Sequence, residues 1–269
     1  MARNRMRKRK SGGVLVPLVA VLGIASLTAV MAGTYYYAYL GSQGPVINGA
    51  TLCPETGPEA HLAILVDTTD PMSLTQLEAA RQQIERKIAE AAVHTRISFF
   101  TVNPDDTTRA NTFFSMCKPQ SGDEASVLSQ NPRLIEERFQ AEFAEPVQNA
   151  MDALLSVPEA EASPIMESAQ EFAARIPGFA VTDVPRELVL MTDLVQHSDV
   201  FSFFRGDDWE SFSNAGGPAR FGSAFEGATV TVLRIPRLPQ STAVIDDFWV
   251  RYFNAQGFER VRVTRMGDL

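Results

Sequence analysis

A run of nineteen uncharged residues, Val14–Ala32, follows a tail carrying Arg3, Arg5, Arg7, Lys8, Arg9 and Lys10, and it governs the layout of everything after it. As a helix the run reaches about 29 Å, close to the thickness of membrane hydrocarbon. Ten of its residues are Leu, Ile or Val, together worth about −4 kcal/mol on insertion scales. No charge opposes them, because the chain is uncharged from Ser11 to Pro54. Tyr35, Tyr36, Tyr37 and Tyr39 follow, four of the five tyrosines in the chain. Rings with an apolar body and a polar tip suit the membrane–water boundary. The pattern predicts a single-pass protein of the cell membrane. A basic cytoplasmic tail occupies 1–12, a transmembrane helix 13–40 and a Gly/Pro-rich stalk 41–60, with the main domain over 61–269. The positive-inside rule puts that domain on the periplasmic or extracellular side. The competing reading is a cleaved signal peptide, whose apolar core is shorter, about 7–15 residues.

Beyond the tail, 18 basic side chains stand against 32 acidic ones, a balance of −14. That excludes nucleic acid as a partner of the main domain, since phosphate backbones demand positive charge. The two cysteines, Cys53 and Cys117, both fall on the predicted outer side. Disulfides persist there, so a bridge between them is expected, with two free thiols as the alternative. Their spacing fits no zinc motif.

The main domain alternates strand and helix patterns. HLAILV (61–66), RISFFTV (96–102), ELVLM (187–191) and TVTVLRI (229–235) read as buried strands. Thr112–Met116 reads as a shorter third strand after a polar turn region, Asn103–Asn111. Phe258–Thr264 alternates, as an edge strand does. Helices are expected from Ser73 onward, from Asn131-Pro132, with a break at Pro146, from Ser163-Pro164 and from Asp246 or Asp247. Residues 198–228 resist assignment. Their aromatics, Phe201, Phe203, Phe204, Trp209, Phe212, Phe221 and Phe225, suit either a satellite core or a partner surface. The whole predicts an α/β fold, doubly wound, with a mostly parallel sheet and helices on both faces.

In such sheets ligands bind beyond the carboxyl ends of the strands. Three loops there carry small oxygen donors: Asp67, Thr69, Asp70 and Ser73; Ser163; and Thr192, Asp193, His197 and Ser198. Carboxylates and hydroxyls meeting at one point are what a hard cation such as Mg²⁺ takes. LVDTTDPMS (65–73) and ELVLMTDL (187–194) resemble the von Willebrand factor A (vWA) family, over about 61–265. The resemblance implies a Rossmann-like fold used for protein–protein contact. It also implies a metal-ion-dependent adhesion site built from Asp67, Thr69, Ser73, Ser163 and Asp193, holding Mg²⁺ or another divalent cation. The third liganding position of the first loop falls on Pro71, so Ser73 serves only if that loop is rebuilt. A plainer reading makes Asp67, Asp70, Ser73 and Ser163 helix caps and Asp193 a turn residue.

His61 and His94 flank the first strand and helix, and only His197 is near these loops in sequence. No Gly-rich phosphate loop, nucleophile elbow or zinc-protease motif is present. The expected role is therefore non-enzymatic. It is a membrane-anchored interaction module, with a protein partner, in an envelope assembly. The alternatives are a metal-dependent hydrolase using Asp67 and Asp193, or a structural subunit with no ligand.

Overall fold

The computed structural model describes residues 15–41, 44–126, 130–222, 224–236 and 242–266. The chain divides into two units, Met1–Val46 and Ile47–Leu269. The basic tail expected over 1–12 lies outside the described residues.

The first unit contains helix α1, Leu15–Gly41. At 1.5 Å per residue its 27 residues extend about 40 Å. Its described side chains, 21–37, are all exposed and mostly apolar. The hydroxyls of Ser26, Thr28 and Thr34 donate to carbonyls three or four residues back, so they turn no donor outward. Among the described residues no helix is long and apolar enough to cross a membrane.

The second unit is built on six strands: β1 (Ala60–Asp67), β2 (Thr95–Val102), β3 (Phe114–Cys117), β4 (Arg186–Thr192), β5 (Thr229–Arg234) and β6 (Arg260–Arg265). Their order is β3-β2-β1-β4-β5-β6, with β3 antiparallel and every other pair parallel. This is a doubly wound α/β sheet whose chain reverses direction of growth beside β1. Central β1 is buried on both faces, which is why it reads as a continuous apolar run. Leu62, Ile64 and Val66 meet α2 (Leu74–Glu90) and α5 (Glu145–Leu155) on one face. Ala63 and Leu65 meet α6 (Ile165–Arg175) and α9 (Thr242–Ala255) on the other.

Several elements depart from expectation. The turn region before β3 contains a short helix, α3 (Asp106–Thr112), started by Asp105, whose carboxylate accepts the Thr108 amide. The helix from Asn131, α4 (Pro132–Phe139), runs into α5 through a π-turn at Gln140–Ala144. The widened turn comes just before Pro146, whose ring and missing N–H an ordinary α-turn does not accommodate. The last helix begins at Thr242, ahead of Asp246. Residues 198–228 include a 3₁₀ turn (Phe203–Arg205), α7 (Trp209–Asn214) and α8 (Gly217–Arg220). Phe201, Phe212 and Phe221 are buried there against Phe248 and Tyr252 of α9, and Phe225 against Phe179 and Phe258. This stretch does not form a separate satellite core: its buried aromatics are continuous with the main core on the α6/α9 face, while Phe204 is 67% exposed. Gly217 is required within it, since a Cβ there would lie 2.3 Å from the Phe212 ring.

A stalk is expected over 41–60, but much of that range is folded. Residues from Ile47 belong to the folded unit. Leu52 and Cys53 are buried, and Cys53 is disulfide-bonded to Cys117 at the end of β3. The Cys117 amide donates to the Thr51 carbonyl, so this segment is bonded to the β3 edge by backbone as well.

Candidate functional site

Asp67 is the last residue of β1, at the carboxyl end of the sheet. It is 5% exposed, and its carboxylate accepts four hydrogen bonds from three separate parts of the chain. On Oδ1 the Thr69 amide donates at 3.2 Å and the Thr69 hydroxyl at 2.6 Å. On Oδ2 the Ser163 hydroxyl donates at 3.1 Å and the Thr192 hydroxyl at 2.8 Å. Burial pushes the Asp67 carboxyl above the usual carboxylate range. The Thr69 and Thr192 hydroxyls, the Thr69 amide and the Ser163 hydroxyl pull it back. No lysine or arginine is among the groups acting on it.

The backbone places each donor. Thr192 ends β4, the neighbour of β1, and lies on the same face of the sheet as Asp67 because Met191 is in register with Val66. Ser163 precedes α6. It is pinned by a two-way bridge with His197, each amide donating to the other's carbonyl at 2.9 Å. The Ala160 amide donates to the Thr69 carbonyl at 3.0 Å, tying the Ser163 loop to the β1 loop. Beyond Thr192, Asp193 is buried and its carboxylate accepts the Val195 amide at 2.7 Å. The turn forces Leu194 to a left-handed φ of +69°, an uncommon conformation for such a side chain. The Trp249 indole, donating to the Leu194 carbonyl at 2.7 Å, holds it there.

Of the residues singled out from sequence, Asp67, Thr69 and Ser163 therefore meet. Asp193 is the next residue along from the fourth member, which is Thr192. Ser73 is a correction: it is exposed, and its hydroxyl accepts the Gln76 amide in a capping box at the start of α2. Pro71 in front of it leaves the loop no hydroxyl at that position. Ser163 in turn is no cap; α6 starts without a side-chain cap bond, because the Ser163 hydroxyl is given to Asp67. The His197 ring faces away from the carboxylate cluster in its bonding, with Nδ1 2.7 Å from the Ser202 hydroxyl and its edge against Phe204.

Among the described residues no group of three or more His, Cys, Asp or Glu is gathered as a metal cage. The donors at Asp67 nonetheless fit a hard cation chemically. Each hydroxyl that gives its proton to Asp67 keeps oxygen lone pairs for another partner. Thr69, Ser163 and Thr192 are the oxygens that would hold such an ion, which would supply a fixed positive charge for an anionic partner group.

The fold and this rim together define a class: a doubly wound α/β domain with a hydroxyl-ringed carboxylate where its central strands end. No family model matches the chain, and no curated protein matches it by sequence. Among solved structures the chain is similar to the human COPII-coat protein Sec24c. Identity is 11% and the TM-score 0.39, over 78% of this chain and 30% of that one. The present chain thus spans under a third of that protein's length, and nothing about function is drawn from a likeness so distant.

Proposed function

We propose that the chain is a membrane-tethered, vWA-like protein-interaction module, a reading of its tether that rests on the apolar sequence run within 13–40 and its basic flank. Its folded unit faces the periplasmic or extracellular side as part of an envelope assembly. The observation that carries the reading is the convergence on Asp67 of Thr69, Ser163 and Thr192 from three loops at one end of the sheet. That arrangement suits recognition better than catalysis. A carboxylate shared among four donors is no free base, and the hydroxyls are held rather than activated. A recess of about 380 Å³ flanks Ser163, lined by Pro164, Glu167, His197, Ser198 and Arg205 among others, where a partner side chain has room. The uncharged helix after a basic tail and the Cys53–Cys117 bond support the tether and an oxidising compartment.

Cross-linking the full chain in its native membranes and recovering bound protein is the direct test. A partner should be captured in quantity with the unaltered chain and lost with Thr69→Ala and Ser163→Ala. Equal recovery from both would remove the rim from the account. Resistance of the chain to alkaline extraction, with protease acting on the folded unit only from the outer side, checks the tether.

The filled acceptor positions of Asp67 favour a second reading, a ligand-free knot that only joins three loops. Mg²⁺ titration separates the two. Thermal stabilisation that is absent in Asp67→Ala supports a cation at the rim; no shift at millimolar Mg²⁺ supports the knot.

A further inference from the structure

We propose that β6 is a docking edge for an extended acidic segment of a partner protein, which adds to the sheet as a seventh strand. β6 ends the strand order, and among the described residues no strand pairs with its outer side. Every second N–H and C=O of an edge strand faces outward and lacks a ladder partner. All six β6 residues are exposed, unlike β3 at the opposite edge, which is partly buried and bonded to Thr51.

The side chains of β6 sort by face. Arg260 and Arg262 are in register with Thr229 and Thr231, on the α2 side. No acidic side chain pairs with either among the described residues; both line a recess of about 430 Å³ that also holds Arg186, Glu90 and a Lys87–Glu187 ion pair, so the unpaired charge there is that of the β6 arginines. Val261 and Val263 are in register with Val230 and Val232, on the α9 side, yet they are 40% and 57% exposed. The strand thus offers a basic stripe, an apolar stripe and an open backbone edge. A segment alternating acidic and apolar residues complements all three, since main-chain bonds give affinity and alternate side chains give specificity.

Charge also selects among occupants. Edge arginines commonly guard against pairing with another copy. A second copy in antiparallel register would bring arginine stripes together, and like charges directly opposite are unfavourable. The chain beyond its tail carries −14, so the basic stripe on β6 stands out as a place where an acidic partner is attracted rather than repelled. None of these residues belongs to the Asp67 rim, so failure here leaves the reading of that site untouched.

The test uses the full chain in detergent and a fluorescein-labelled peptide of about ten residues alternating Glu and Val, long enough for one strand. Anisotropy should show saturable binding that weakens with salt, and none for the Lys/Val counterpart. Arg260→Glu with Arg262→Glu should weaken the Glu/Val peptide by about tenfold or more and admit the Lys/Val one. N-methylation of alternate peptide amides should cost the unaltered chain about tenfold as well, because it removes the ladder donors. That arm carries the test even if the double variant fails to fold. Undiminished binding of the N-methylated peptide would reduce the effect to plain charge attraction and overturn the proposal. So would an absence of saturable binding, or a concentration-dependent dimer abolished by Val261→Glu.

Discussion

The two ends of the same sheet treat buried charge in opposite ways. At the carboxyl end one carboxylate, Asp67, accepts four donors. At the amino end His61 lies in register between Arg96 and Arg186, a row of three basic side chains across β2, β1 and β4. Arg186 is served by the carbonyls of Phe179, Ala224 and Glu226. Arg96 is only 9% exposed, and its Nε, like Nδ1 of His61, has no hydrogen-bond partner among the described residues. Burial, then Arg96 and Arg186, hold the His61 pKa at about 4. Density of polar residues therefore does not mark the site here. What distinguishes the rim is that donors from distant segments are aimed at one acceptor, whereas the row below is tolerated at a cost.

The sharpest way to break this contrast is Asp67→Ala. It strands three hydroxyls and an amide, and denaturant unfolding should show a loss of about 4 kcal/mol. A loss under about 1 kcal/mol would mean the rim is no better satisfied than the row. The row should reveal itself through pH. His61 has its pKa lowered from 6.5 to about 4 in the folded chain. Its contribution is present above pH 6.5 and lost as pH falls through about 4, because the unfolded chain takes up the proton first. Roughly 3 kcal/mol should disappear across that window and be spared in His61→Leu. Thr192→Val keeps the shape but withdraws one donor from Asp67 and the acceptor of the Leu194 amide. It should cost about 1–2 kcal/mol. Arg96→Met removes a largely buried cation whose Nε has no partner among the described residues, and should leave stability within about 1 kcal/mol. It should also raise the His61 pKa toward 6.5, read by NMR titration. A large destabilisation would show that Arg96 is better paired than its contacts indicate.

Much of the core was legible because burial on both faces leaves long apolar runs: β1, β2, β4 and β5 are where those runs lie. The parallel order followed from strands alternating with helices. Short elements whose stability comes from packing were not legible. α7 and α8 exist because Phe212 and Phe221 pack on α9, which no local periodicity records. At the rim, Asp67, Thr69 and Ser163 could be found from loop position. Thr192 was passed over for Asp193, although strand parity held the answer: Leu188 and Leu190 share the inner face of Ala63 and Leu65, so Thr192 shares that of Asp67. For Ser73 the capping-box spacing to Gln76 and the adhesion-site pattern pointed in different directions, and the structure follows the capping box.

The Cys53–Cys117 bond closes a covalent loop with a sequence separation of 64. Tension entering the folded unit at Ile47 and leaving through β6 crosses from Cys53 directly to Cys117. β1, α2 and β2 are enclosed by that loop and carry none of the pull in their own backbone. A load applied between Ile47 and β6 would therefore bypass the central strand that bears Asp67.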